Sequence, residues 1–192
     1  MKKGRIVIIS GPSGSGKTTL HKMLLESPRF RGRLVKSLSA TTRARRPGER
    51  HGRDYLFLTE KEFLRKIKAG QFLEFQKVFD RYYGTPRKAV MDLLRRGKHV
   101  LLCIDVKGAR VVWEQYPQAL RIFVKTPSLT ELKRRLKSRG TENPKDLKIR
   151  LQTAREELRE TRHYDRVVVN DRLAAAYKRL ENIVCRELSP LG

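Results

Sequence analysis

The chain has 192 residues, enough for one domain with a real core and a small inserted unit. Lys and Arg number 45 against 20 Asp and Glu, a formal net charge of +25, with hydrophobic residues at 39%. No run of about 20 apolar residues occurs, so no membrane-spanning helix is expected. After Met-Lys-Lys the apolar stretch Ile6 to Ile9 is too short for a secretory leader. Cys103 and Cys185 lie far apart and fit buried thiols of a cytoplasmic protein, and no Cys/His spacing suggests zinc. The basic residues are spread along the whole chain. Nucleic acid is therefore expected as a non-specific, salt-sensitive partner only.

In chain order, Arg5 to Ser10 is a β-branched run that reads as a buried strand. It leads into Gly11-Pro12-Ser13-Gly14-Ser15-Gly16-Lys17-Thr18, the G-x-x-x-x-G-K-[ST] pattern, and then into an apolar helix over Thr18 to Glu26. Strand, glycine-rich turn and helix are what polyphosphate binding needs. Unpaired N–H groups and the positive dipole end meet the anion, and glycines let the backbone wrap it. Lys17 is expected at the β- and γ-phosphates of a nucleoside triphosphate, with the Thr18 hydroxyl on Mg²⁺.

Ser27-Pro28 breaks the first helix, and Leu34 to Ser39 reads as a short strand. Residues 40–49 form a loop with no apolar period and with Arg43, Arg45 and Arg46 in it. Asp54 to Leu58 is strand-like, and the capping box Thr59-x-x-Glu62 opens a helix from Glu60 to about Lys68. Phe72 to Phe79 alternates as a strand with Glu74 in its middle. Thr85 reads as an N-cap and Pro86 as the first residue of a helix running to Arg96. His99 to Asp105 is a second apolar strand, followed by a helix over Val106 to Gln115 and a third strand, Leu120 to Val124. Ser128-x-x-Glu131 is a second capping box, for a helix to about Arg139. A long amphipathic helix starts at Asn143-Pro144, with Leu147, Leu151, Ala154 and Leu158 on one face. Arg166 to Asn170 is a fourth strand, and Asp171 is expected to cap a last helix to about Glu187. Apolar strands alternating with helices predict an α/β fold with a central parallel sheet flanked by helices. The polar stretch from about Ser37 to Lys88 breaks the rhythm and reads as an insertion.

Three groups carry chemistry. Asp105 ends an apolar strand downstream of the phosphate loop, where an aspartate helps to hold Mg²⁺. Arg43 and Arg46 offer two guanidinium forks for a phosphate monoester, with hydroxyl donors on Tyr55 and Tyr83. On these residues alone the loop is equally a solvated basic surface. Arg135, Arg139 and Arg150 bracket the turn at 140–144 and fit a lid that brings positive charge to a transferring phosphoryl group. Ordinary helix surface charge is the competing reading.

Nearly the whole chain resembles guanylate kinase. The segments that carry this are Gly-Pro-Ser-Gly-Ser-Gly-Lys-Thr at 11–18, Ser-Leu-Ser-Ala-Thr-Thr-Arg-Ala-Arg-Arg-Pro-Gly-Glu at 37–49, Asp-Tyr-Leu-Phe at 54–57 and Phe-Leu-Glu-Phe at 72–75. Tyr-Tyr-Gly-Thr at 82–85, Ile-Asp-Val-Lys-Gly-Ala at 104–109, Arg-Leu-Lys-Ser-Arg-Gly-Thr-Glu at 135–142 and Val-Val-Asn at 168–170 complete it. The arginine loop ending in Pro-Gly-Glu is the most specific of these.

The resemblance implies a P-loop kinase fold. The core is 1–36 and 89–192, with a helical lid at about 135–150 and a mixed α+β GMP-binding subdomain at 37–88. It implies transfer of a phosphoryl group from ATP to GMP, giving ADP and GDP, with Mg²⁺, in purine nucleotide metabolism. ATP would be held by Gly11, Pro12, Ser13, Gly14, Ser15, Gly16, Lys17, Thr18 and Thr19, with Arg135, Arg139 and Asn170. Arg43, Arg46, Tyr55 and Tyr83 would hold the GMP phosphate, and Ser39, Glu74 and Thr85 would read guanine. Asp105 and Arg150 would also face the acceptor, and Thr18 and Asp105 the metal. Lys17, Arg46, Arg139 and Arg150 would supply the catalytic positive charge. Where the family often has an acidic residue, two positions before Asp105, this chain has Cys103, so no second carboxylate ligand is implied. No general base is expected from His21, His51, His99 or His163, because a phosphate monoester is already largely ionised. Monomer and homodimer both remain open. A sugar-phosphate kinase would have no base for Glu74 to read, and a non-enzymatic partner-binding domain would not need Lys17 and Thr18.

Overall fold

The computed structural model describes residues 3–78, 80–138 and 144–188, and of 144–146 the backbone alone. One sheet has five strands: β1 (Ile6–Ser10), β2 (Leu34–Lys36), β7 (His99–Cys103), β8 (Leu120–Lys125) and β9 (Arg166–Val169), in the order β2-β7-β1-β8-β9. The pairs β2–β7, β1–β8 and β8–β9 are parallel. The other sheet is mixed: β3 (Ala40–Thr41), β4 (Leu56–Phe57), β5 (Phe72–Val78) and β6 (Arg81–Pro86), in the order β4-β3-β6-β5. The helices are α1 (Lys17–Glu26), α2 (Glu60–Lys68), α3 (Arg87–Arg95), α4 (Val106–Gln115), α5 (Leu129–Lys137), α6 (Pro144–Arg159) and α7 (Leu173–Leu188). The chain forms two compact units, one from 1–6, 32–102 and 107–119, the other from 7–31, 103–106 and 120–192.

In the first unit the mixed sheet gains its core from α2. Phe63 is fully buried, with its ring stacked on Phe72 at 4.4 Å and on Tyr82 at 5.4 Å between centroids. Leu56, Leu58 and Ile67 pack around the cluster. The capping box forms as the sequence predicts: the Glu62 N–H donates to Thr59 Oγ1 at 3.2 Å, and the Thr59 N–H donates to Glu62 Oε2 at 2.8 Å. β5 and β6 pair antiparallel with Glu74 opposite Thr85, and the register shifts between Phe72 and Glu74. Phe72, Leu73 and Glu74 are consecutively buried at that irregularity.

Here the structure corrects a local reading. Thr85 does not cap α3; β6 continues through Pro86, which takes the N-cap position. Cross-strand pairing holds Thr85 in the sheet and overrides its capping preference. The strand expected over Leu34 to Ser39 stops at Lys36, and pairing resumes at Ala40 in the other sheet.

In the second unit, β1, β8 and β9 form the parallel core, with Val7, Ile8, Ile9, Leu120, Ile122, Phe123 and Val168 fully buried. α1 packs on α7, joined by Glu181, which accepts from Ser27 Oγ and from the Tyr177 hydroxyl, each at 2.6 Å. Leu132 and Leu136 of α5 meet Ala154, Leu147 and Leu151 of α6, three of the four residues of the predicted apolar face. The second capping box forms by half. Ser128 Oγ accepts from the Glu131 N–H at 3.1 Å, while the Glu131 carboxylate turns to Arg134 and Arg135. α5 ends at Lys137. Asp171 lies two residues ahead of α7 and accepts from the Arg172 N–H and from Arg179.

Replacing Phe63 by Ala is expected to cost about 3–5 kcal/mol, because it empties a site with aromatic rings on two sides. Urea unfolding checks this. A loss below about 1 kcal/mol would mean that the ring does not anchor α2 to the sheet.

Candidate active site

The loop between β1 and α1 is shaped by backbone proximity. A Cβ on Gly11, at φ +139°, would lie 2.1 Å from the Val124 carbonyl oxygen. A Cβ on Gly16, at φ +88°, would lie 2.1 Å from Asn170 Nδ2. Backbone bars a side chain at Gly11, and at Gly16 a side chain would have to displace the Asn170 amide and adopt a strained left-handed φ. The Ser15 N–H closes a turn on the Pro12 carbonyl at 3.1 Å. The Asn170 side chain, itself buried, braces that turn by donating to the Ser15 carbonyl at 2.8 Å. The Asn170 N–H is fixed on the Lys125 carbonyl at 2.7 Å, the point where β9 leaves β8.

α1 begins on Gly16 with no side-chain cap and no acidic residue in its first turn. α2 differs, with Thr59 as its cap and Glu60 and Glu62 in its first turn. An uncapped helix start at the end of a parallel strand leaves N–H groups that can receive an external anion. Lys17 Nζ donates to the Pro12 carbonyl at 3.3 Å, so the ammonium lies along the loop. Thr18 and Thr19 are exposed on the first turn.

Further residues of the second unit converge on this loop. Arg150 Nη1 donates to Ser13 Oγ at 3.2 Å. Arg135 donates from Nη2 to the Asn170 carbonyl at 2.9 Å and from Nε to Glu131 at 2.7 Å. Arg134 and Arg135 pull the Glu131 carboxyl down to about 2. Arg139 lies outside the described residues. Asp105 is half-buried, and its neighbour Ile104 donates its N–H to the Ile9 carbonyl at 3.3 Å, which ties this segment to the end of β1. Tyr164 carries no signal in the sequence. It is buried edge-on against Phe123, and its phenol is pushed far above the ordinary range by that burial.

In the first unit, Glu74 is only 6% exposed and Thr85 only 1%. The Thr85 hydroxyl donates to Glu74 Oε1 at 2.5 Å across the β5–β6 pair. Arg43, Tyr55 and Tyr83 also come together. The guanidinium lies 5.6 Å from the Tyr55 ring centre, and the two tyrosine rings meet edge-on at 6.5 Å. Glu49, which the sequence singles out only as the end of a motif, binds Arg43 Nη2 with both carboxylate oxygens at 2.8 and 3.0 Å. That contact, and to a lesser degree Tyr83, raises the pKa of Arg43. The Arg46 side chain is exposed, while Ser39 is half-buried and its carbonyl accepts from the Leu56 N–H at 2.9 Å. Two histidines serve as backbone acceptors: His99 Nδ1 for the Arg5 N–H at 3.1 Å and His51 Nδ1 for the Phe57 N–H at 3.3 Å.

The first unit thus holds a buried, hydroxyl-bonded carboxylate and an arginine–tyrosine cluster, and the second a glycine-rich loop at a bare helix start. Among the described residues no helix is long and apolar enough to cross a membrane. The guanylate kinase family profile matches residues 3–187. A guanylate kinase of Symbiobacterium thermophilum is 46% identical over 96% of this chain and 86% of its own. One of Rubrobacter xylanophilus is 44% identical over 97% and 96%. The crystal structure of guanylate kinase from Anaplasma phagocytophilum superposes with a TM-score of 0.78 at 34% identity, covering 100% of this chain and 89% of that one. With its strand, glycine-rich loop and helix, its parallel sheet and these relatives, the chain belongs to the guanylate kinase family and is an enzyme that transfers a phosphoryl group from ATP to GMP.

Proposed function

We propose that Glu74 and Thr85 read the guanine of GMP, and that the loop 11–18 holds the ATP phosphates. The observation that carries this is the buried Glu74–Thr85 pair. Guanine offers donors at N1 and N2 and an acceptor at O6. A carboxylate accepts from N1–H and N2–H₂ together, and a neighbouring hydroxyl donates to O6. Adenine has neither of those donors and would leave the carboxylate unmatched; sites of this kind discriminate by about 10⁴. Ser39 completes the base site. Arg43, Arg46, Tyr55 and Tyr83 hold the acceptor phosphate, helped by Asp105 and Arg150.

In the reaction an oxygen of the GMP phosphate attacks the γ-phosphorus of ATP. The bond from that phosphorus to the bridging β–γ oxygen breaks, and ADP leaves with the electron pair. The attacking oxygen is already ionised, so alignment and charge neutralisation carry the rate. Lys17, Arg46, Arg139 and Arg150 supply the positive charge. Arg135, Asn170 and Thr19 complete the ATP site. Thr18 and Asp105 offer a hydroxyl and a carboxylate oxygen in the same unit, a donor set that suits Mg²⁺, which takes few protein ligands and keeps water and phosphate for the rest. Mg²⁺ held there would neutralise negative charge that develops on the phosphate oxygens. Residues 37–88 act as the GMP-binding part, and 1–36 with 89–192 as the ATP-binding part, with a lid at about 135–150. The setting is cytoplasmic purine nucleotide metabolism, and nucleic acid is bound only through bulk charge.

An ADP-release assay with ATP, Mg²⁺ and each ribonucleoside monophosphate should show turnover with GMP far above the others. Lys17→Met should lower kcat by about 10²–10³-fold or more, and chelation of the metal should stop turnover until Mg²⁺ is restored. Near-normal activity of Lys17→Met would remove the phosphate-loop assignment. Glu74→Gln places an amide donor against the N–H donors of guanine. It should lower kcat/KM for GMP by about 10- to 100-fold and leave KM for ATP unchanged. Unaltered GMP kinetics would take Glu74 out of the base site.

A further inference from the structure

Glu49 makes four hydrogen bonds within one short turn. Both of its carboxylate oxygens accept from Arg43 Nη2, at 2.8 and 3.0 Å. One of them also accepts from the Arg46 backbone N–H at 2.8 Å. Its own N–H donates to the Arg46 carbonyl at 3.1 Å. The main chain of Arg46 is therefore held on both sides by one residue, and the head of Arg43 is held by the same carboxylate. Gly48 makes the turn possible at φ +83°. The contacts are sheltered, with the Arg43 and Glu49 side chains 15% and 20% exposed. Arg43 is further fixed by Nη1 on the Ala44 carbonyl at 2.6 Å and by the faces of Tyr55 and Phe57. The Glu49 carboxyl is held below the ordinary carboxylate range, first by Arg43 and then by the Arg46 N–H.

We propose that Glu49 is a positioning residue for the acceptor phosphate, which fixes the guanidinium head of Arg43 and the backbone root of Arg46 before GMP arrives. The inference rests on the reading that Arg43 and Arg46 hold that phosphate. Two physical consequences follow. The charge of Arg43 is already met by an internal anion, so its contribution to binding a phosphate is directional more than Coulombic. The side chain of Arg46 is exposed and fixed only through its backbone, so it keeps the freedom to close on the phosphate.

The test compares the steady-state kinetics of Glu49→Gln, Glu49→Asp, Glu49→Ala, Arg43→Ala and the double variant Arg43→Ala/Glu49→Ala, each checked for an unchanged melting temperature. Glu49→Gln keeps the shape and one acceptor but loses the charge-assisted grip. It should raise KM for GMP by about tenfold and leave KM for ATP within about twofold. Glu49→Ala should raise KM for GMP further, and Glu49→Asp should recover part of the loss. In the Arg43→Ala background the effect of Glu49→Ala should shrink, because part of it acts through Arg43. The proposal is overturned by an unchanged or lowered KM for GMP in Glu49→Gln, by equal rises in both KM values, or by full additivity with Arg43→Ala. If Arg43→Ala itself leaves KM for GMP unchanged, the phosphate-site reading fails and this inference with it. If Arg43→Ala raises it and the Glu49 variants do not, only the inference on Glu49 fails.

Discussion

A polyphosphate is best held by main-chain N–H groups, and main chain reaches it only where no side chain intervenes. The loop between β1 and α1 has the main-chain closeness that this constraint asks for. Gly11 brings the loop against the Val124 carbonyl of β8, and Gly16 brings it against the Asn170 amide at the end of β9. Both contacts are too close for a Cβ, so the loop lies directly against the carbonyl of Val124 and the side-chain amide of Asn170, the residue after β9. The bare start of α1 belongs to the same arrangement. α2 and α5, by contrast, start on the capping side chains of Thr59 and Ser128.

A different constraint shapes the first unit. A carboxylate taken out of water needs partners, or its desolvation, worth several kcal/mol, is left uncompensated. The mixed sheet meets this need through register. The irregularity between Phe72 and Glu74 lets three successive residues turn into protein, and it sets Glu74 opposite Thr85, whose hydroxyl reaches Oε1. Phe72 and Tyr82, on which Phe63 of α2 stacks, lie on the same two strands. The stability of that stack and the setting of the polar pair are therefore linked through shared backbone.

These two constraints also decide what could be read from the sequence. Features written in local spacing were legible: the strand–loop–helix around Lys17, the box at Thr59 and Glu62, and the apolar face of Leu147, Leu151 and Ala154. Thr85 was misplaced because its local preference and its sheet partner disagree, and the partner lies 11 residues earlier in the chain. Ser128 formed only half a box because Glu131 had arginines three and four residues ahead of it, a competition visible in the i, i+4 spacing of Glu131 and Arg135. Tyr164 left no trace, since one tyrosine before a strand looks alike whether buried or exposed. Glu49 acts through a turn, which has no period to detect.

The charge imbalance gives the carboxylates a meaning beyond neutralisation. Twenty acids cannot offset 45 bases, so where an acid is placed matters more than how many there are. Asp165 grips Arg121 with both oxygens where β9 begins beside β8, a structural use. Glu49 and Glu131 are different: each holds an arginine whose head also donates to backbone near a loop, Arg43 to the Ala44 carbonyl and Arg135 to the Asn170 carbonyl. An arginine left alone samples many rotamers and loses about 2 kcal/mol of side-chain entropy when it is ordered. An acid already bound to it takes that loss during folding instead of during binding. The strongly basic surface attracts anionic substrates from a distance, and the few carboxylates make particular arginines wait for them in fixed positions.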